Sequence, residues 1–94
     1  MAKLYQITIR WAEVPTGDAK AQLIETKLGP LGNWLRFSSW TWLLSSDYNS
    51  IQIREAIRTV VMPTDYFLVL EVARTQADGW ALPWVWDWIR SKQG

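Results

Sequence analysis

Trp34-Leu35-Arg36-Phe37-Ser38-Ser39-Trp40-Thr41-Trp42-Leu43-Leu44 holds two short runs rich in aromatic and aliphatic residues, one on each side of a polar serine pair. Trp34 to Phe37 reads as one strand and Trp40 to Leu44 as the next, with Ser38-Ser39 as their tight connection. A hairpin near the middle of the chain constrains its flanks, because each flank must supply elements that cover or extend those two strands.

Upstream, Leu4 to Trp11 alternates: Tyr5, Ile7, Ile9 and Trp11 fall on one side, Gln6, Thr8 and Arg10 on the other. That period of two predicts a half-buried strand. Glu13-Val14-Pro15-Thr16-Gly17-Asp18 is a turn cluster. From Asp18 the spacing becomes helical, with Ala21, Ile24 and Leu28 in one stripe and Leu23 beside it, and Gly29-Pro30 is a stop.

Downstream of the hairpin, Asn49-Ser50-Ile51-Gln52 has the form of a capping box. The helix it starts carries Ile53, Ala56, Ile57 and Val60 inward and Arg54, Glu55 and Arg58 outward, and Met62-Pro63-Thr64-Asp65 ends it. Tyr66 to Ala73 is a nearly continuous apolar strand, interrupted by Glu71. Residues 74–79 form a polar connector. Pro83 suits the first turn of a last short helix, in which Leu82, Val85 and Ile89 share a side flanked by Trp86 and Trp88. The spacing of Trp84, Trp86 and Trp88 also fits a strand.

The resulting order, β-α-β-β-α-β and then a tryptophan-rich helix, predicts an α+β ferredoxin-like sandwich: two helices on one face of a four-stranded antiparallel sheet. Ninety-four residues make a single domain, with its core over 3–73, the connector over 74–79 and the C-terminal extension over 80–91. In that arrangement the sheet keeps one open face, which the extension or a second subunit would cover.

Composition narrows the chemistry. The chain has no cysteine and no histidine. Ser-His-Asp and Cys-His nucleophile arrangements are therefore impossible within it, as are zinc sites built on Cys or His. Any metal held by its side chains would rest on oxygen ligands. Ten basic and nine acidic residues leave a formal net charge of +1, which neither advertises nor forbids nucleic acid. No signal-peptide pattern opens the sequence, and no window approaches the roughly 18 apolar residues of a membrane span. The expectation is a cytoplasmic protein with no membrane contact, no cofactor and no disulfide. Leu28-Gly29-Pro30-Leu31-Gly32 lacks the Lys-Ser/Thr ending of a phosphate-binding loop.

Met1-Ala2-Lys3-Leu4-Tyr5-Gln6-Ile7-Thr8-Ile9, Ile24-Glu25-Thr26-Lys27-Leu28-Gly29, Ser39-Trp40-Thr41-Trp42-Leu43-Leu44, Gln52-Ile53-Arg54-Glu55-Ala56-Ile57 and Pro63-Thr64-Asp65-Tyr66-Phe67-Leu68-Val69 together resemble the SinR-like small bacterial proteins. Those are distant relatives of the CRISPR-associated integration-complex small subunit and of virulence-associated protein D. The resemblance spans residues 3–90 and rests on short, mostly structural motifs. It implies a ferredoxin-like fold, homodimerisation through the sheet and, in some relatives, metal-dependent nuclease activity. In those relatives an aspartate ends the first strand, where two symmetry-related copies would hold one divalent cation. Here the matching position is Arg10, within Thr8-Ile9-Arg10-Trp11, and an arginine would repel such a cation.

The expected function is therefore a non-catalytic, diverged SinR-like module that acts as a homodimer or by interaction, with no catalytic or metal-binding residue. Arg10 and Arg36 are the candidates for phosphate or nucleic-acid contact. The bland reading of Arg10 is a solvated or interface arginine. Trp34 could stack on bases from the second strand, whereas Trp40 and Trp42 share a spacing that predicts core. Trp80, Trp84, Trp86 and Trp88 are the candidates for dimer or partner contact, since four large rings exceed what one short helix can bury. The alternative functions are a divalent-metal nuclease acting on RNA or DNA with relocated carboxylates such as Glu13 or Asp47, and a weak nucleic-acid-binding module. Asp65 and Asp87 read as loop and helix-flank residues, and Glu71 as solvent-facing on an edge strand.

Overall fold

Each predicted strand and helix of the sequence forms, with shifted limits. The computed structural model describes residues 2–12, 19–73 and 78–91. Glu13 and the rest of the 13–18 turn cluster lie outside the described residues, as do connector positions 74–77. Strands β1 (Lys3–Arg10), β2 (Gly32–Ser38), β3 (Thr41–Ser46) and β4 (Tyr66–Val72) join helices α1 (Ala19–Leu28), α2 (Ser50–Arg58) and α3 (Pro83–Ser91). The chain is thus α+β, with a four-stranded antiparallel sheet in the order β2-β3-β1-β4 and three helices.

The alternation in β1 sorts two cores onto the two faces of the sheet. Tyr5, Ile7, Ile9 and Trp11 meet Trp42 and Leu44 of β3, and this face packs on Ala21, Ile24 and Leu28 of α1 and on Ile53 and Ile57 of α2. Each fully buried large side chain in that layer contributes roughly 1.5–3 kcal/mol against exposure. Leu4 and Leu35 point the other way and pack on Val85 and Ile89 of α3, with Leu43, Val72, Trp86 and Trp88 around them. The C-terminal helix therefore lies on its own chain's sheet.

Buried aromatic rings keep their polar atoms satisfied, as ring burial requires. The Tyr5 hydroxyl donates to the Tyr48 carbonyl at 2.8 Å, and Trp11 Nε1 donates to the Ser39 carbonyl at 2.9 Å. Burial, aided by the Glu71 charge, raises the Tyr5 phenol above its ordinary pKa. Helix α2 starts with the expected capping box: Asn49 Oδ1 accepts from the Gln52 backbone N–H, and Gln52 Oε1 accepts from the Asn49 N–H. Helix α1 ends at Leu28, where Gly29-Pro30 turns the chain into one 3₁₀ turn. Leu23, beside the α1 stripe, is exposed.

One strand expectation is corrected. The hairpin turns at Ser39-Trp40, one residue later than the spacing implies, because the β2–β3 register shifts between Arg36 and Ser38. The bulge absorbs one residue of β2, so Trp40 falls in the turn and is exposed while Trp42 is wholly buried. Strand β4 is an edge strand, as the reading of Glu71 expects, but its apolar run is more exposed than its composition implies. Only Phe67 and Val69 pack inward, and Tyr66, Leu68 and Leu70 are 66, 60 and 50% exposed.

Candidate functional site

The second face of the sheet is half covered. Antiparallel pairing puts directly opposed residues on one side of a sheet, so Leu4 and Val72 share a face with Gln6 and Leu70, Thr8 and Leu68, and Arg10 and Tyr66. Helix α3 covers the end that holds Leu4 and Val72. The other end carries Thr8, Arg10, Tyr66 and Leu68 with no helix over it among the described residues. A contiguous apolar row on an open face is the kind of surface that marks a contact site.

Between the two ends lies a cleft of about 330 Å³, walled by Gln6, Phe37 and Leu43 from the sheet and by Val85, Trp86 and Ile89 from α3. Gly79 and Trp80 close one side of it. Pro83 at the start of α3 fixes how the chain enters the helix, and Val85 and Ile89, four apart, anchor it to the sheet.

The four tail tryptophans divide. Trp86 and Trp88 are half-buried against the second core, whereas Trp84 is 55% exposed and Trp80 is fully exposed. Two of the four rings thus supply the lid and two face outward. Trp34 pairs with Leu44, which belongs to the helix-covered core, so it does not stand on the open face.

Arg10 and Arg36 are not brought together. Arg10 sits beside Tyr66 at the bare end, in a shallow hollow shared with Trp11, Ala12 and Thr64. Arg36 pairs with Trp42 and points to the helical side, where its Nε and Nη2 grip the Glu25 carboxylate at 2.5 and 2.7 Å. Trp42 Nε1 donates to the same carboxylate at 3.0 Å. Hydrogen bonds from Arg36 hold the Glu25 carboxyl below its ordinary pKa, against the opposing effect of burial, with Trp42 and the arginine's charge assisting. This is a structural clamp between α1 and the hairpin. Sequence spacing missed it because Glu25 and Arg36 meet only once the helix lies on the strand. The available signal was an acid directly after Ile24, at the margin of the α1 apolar stripe.

Among the described residues the acids do not form a chelating group. Asp65 is buried between two loops: one oxygen accepts from the Ala12 N–H at 2.8 Å and the other from the Met62 N–H at 2.9 Å. Burial pushes this carboxyl up, but those two donors and the Lys20 charge outweigh it and hold the pKa below the usual value. Asp87 pairs with Arg90, and Glu71, exposed on the edge strand, lies 3.8 Å from Lys3. Asp47 follows β3, whose Ser46 pairs with Lys3, so it lies at the opposite end of the sheet from Arg10. Among the described residues no three His, Cys, Asp or Glu side chains converge on a cation-sized space. Among them, too, no helix is long and apolar enough to cross a membrane.

What the surface offers chemically is therefore an apolar row, Tyr66, Leu68 and Leu70, beside the polar row Gln6, Thr8 and Arg10. No protein-family model matches the chain, and neither a curated protein nor a solved structure matches it.

Proposed function

We propose that this chain is a non-catalytic interaction module of ferredoxin-like architecture that pairs with a second copy of itself through the bare half of its sheet. The element order β-α-β-β-α-β and the sheet order β2-β3-β1-β4 support the architecture. They agree with what the resemblance to SinR-like proteins implies. The observation that carries the pairing is the row Tyr66, Leu68 and Leu70, half to two-thirds exposed on one face of an edge strand. A formal net charge of +1 sets no strong repulsion against self-association.

Replacing Leu68 by Lys tests it. The side chain is largely exposed, so the fold tolerates the change, and the charge falls in the middle of the apolar row. Light scattering should give a dimer for the unchanged chain and a monomer for Leu68→Lys, with unchanged circular dichroism. A dimer of equal strength in both would refute the surface. With Mg²⁺ or Mn²⁺ the protein is expected to leave RNA and duplex DNA intact, as in an EDTA control.

A second reading, weak nucleic-acid contact, is favoured by Arg10 standing beside the exposed Tyr66. Its affinity would fall steeply with salt and would be lost in Arg10→Ala.

A further inference from the structure

Strand β4 is left open along one edge. Among the described residues its partner is β1, and the seven residues from Leu4 to Arg10 pair with Val72 to Tyr66 without a register shift. Folded proteins blunt such edges with charge, proline or a bulge, because a row of unpaired N–H and C=O groups is a template for another strand. The opposite edge, β2, has its bulge between Arg36 and Ser38. Strand β4 has no proline, no lysine, no bulge and a single charge, Glu71, next to its last residue.

We infer that β4 pairs antiparallel with β4 of a second copy about a two-fold axis through Val69, joining the two sheets into one of eight strands. The inference deepens the self-association proposed above and rests on it.

Symmetry restricts the register. A two-fold axis normal to the sheet keeps each face on its own side, so opposed residues must have the same parity and the axis must pass through a residue. Centred on Val69, all seven residues of the strand are paired. Tyr66 then meets the partner's Val72, Leu68 meets the partner's Leu70, and Phe67 meets the partner's Glu71. Centring on Leu68 would instead set Glu71 against the partner's Asp65, a like-charge pair, and centring on Leu70 would leave Tyr66 and Phe67 beyond the partner's strand.

A second copy fits this edge better than a foreign strand does. Each β4 runs from a bare end at Tyr66 to an end at Val72 that lies under α3. Antiparallel pairing sets the covered end of one copy beside the bare end of the other. Leu68 of each copy then stands across the seam from Leu70 of the other, so each exposed apolar row gains cross-strand neighbours that a lone edge lacks.

The absence of cysteine makes the test clean. Leu68→Cys and Leu70→Cys are prepared separately, mixed under reducing conditions to exchange subunits, and then oxidised. A disulfide needs Cα atoms within about 7 Å. Opposed positions meet that distance, and like positions two residues out of register do not. The mixture should give a disulfide-linked species, read by intact mass, at least five-fold more abundant than either variant alone. Equal crosslinking by a single variant, or a dimeric mass with no crosslink in the mixture, would overturn the edge pairing while leaving self-association in place. A monomeric mass for the unchanged chain would overturn both.

Discussion

Removing the Glu25 carboxylate takes away two hydrogen bonds from the Arg36 guanidinium and one from the Trp42 indole N–H. Both flank the buried layer, where unpaired polar groups are expensive. Glu25→Ala should therefore cost about 2–3 kcal/mol in denaturant unfolding, far more than an exposed ion pair such as Arg54–Glu55. Glu25 and Asp65 both have folded pKa values below their ordinary 4.5 and 3.8. A depressed carboxyl stabilises fully above its unfolded pKa, and that stability is lost as pH falls through the folded value. The melting temperature should hold from about pH 7 to about 5 and fall below about pH 4. In Glu25→Gln the fall should be shallower, and an equal fall would exclude the clamp as its source. Gly32 gives a second residue-scale test. A Cβ there would stand 2.0 Å from the Ser45 carbonyl oxygen on the paired strand, and the backbone would have to move. Gly32→Ala should cost about 2–3 kcal/mol, against a few tenths for Gly29→Ala, where the space is open.

The elements differ in how far neighbouring residues alone define them. Helix α2 is local: Asn49 and Gln52 satisfy its first donors reciprocally, and Ile53 and Ile57 give it one buried face. Asn49→Ala should lower stability by about 1 kcal/mol in the same unfolding measurement, with the helix otherwise retained. Its start and its inward face were both readable from residues 49–57. The alternation of β1 and the Pro83 start of α3 were readable for the same reason, since each depends on residues a few positions apart. Strand β4 was readable in part: Glu71 marked it as an edge strand, whereas the exposure of Leu68 and Leu70 follows from how it pairs with β1, sixty residues away. Trp40 was misread because of the bulge before Ser38, which moves the turn and leaves no short-range mark. The spread of the tail rings was legible only in part: their number predicted that some must face outward, and the packing of Val85 and Ile89 selected Trp80 and Trp84.

At the scale of the molecule, one sheet serves two unequal faces. Helices α1 and α2 close the first face over Trp42 and the β1 alternation, and α3 closes half of the second over Leu4 and Leu35. The remainder, Tyr66, Leu68 and Leu70 along an unblunted edge, is exposed, and it is the surface proposed to meet a second copy. Association through such a strand combines backbone hydrogen bonds with apolar cover, which neither the bare face nor the bare edge obtains in a lone chain. The most direct measurement is sedimentation equilibrium of the unchanged protein over a range of concentrations at neutral pH. The account predicts a mass of two 11.0 kDa chains, with dissociation only on dilution. A single-chain mass at every concentration, with the protein folded, would contradict it.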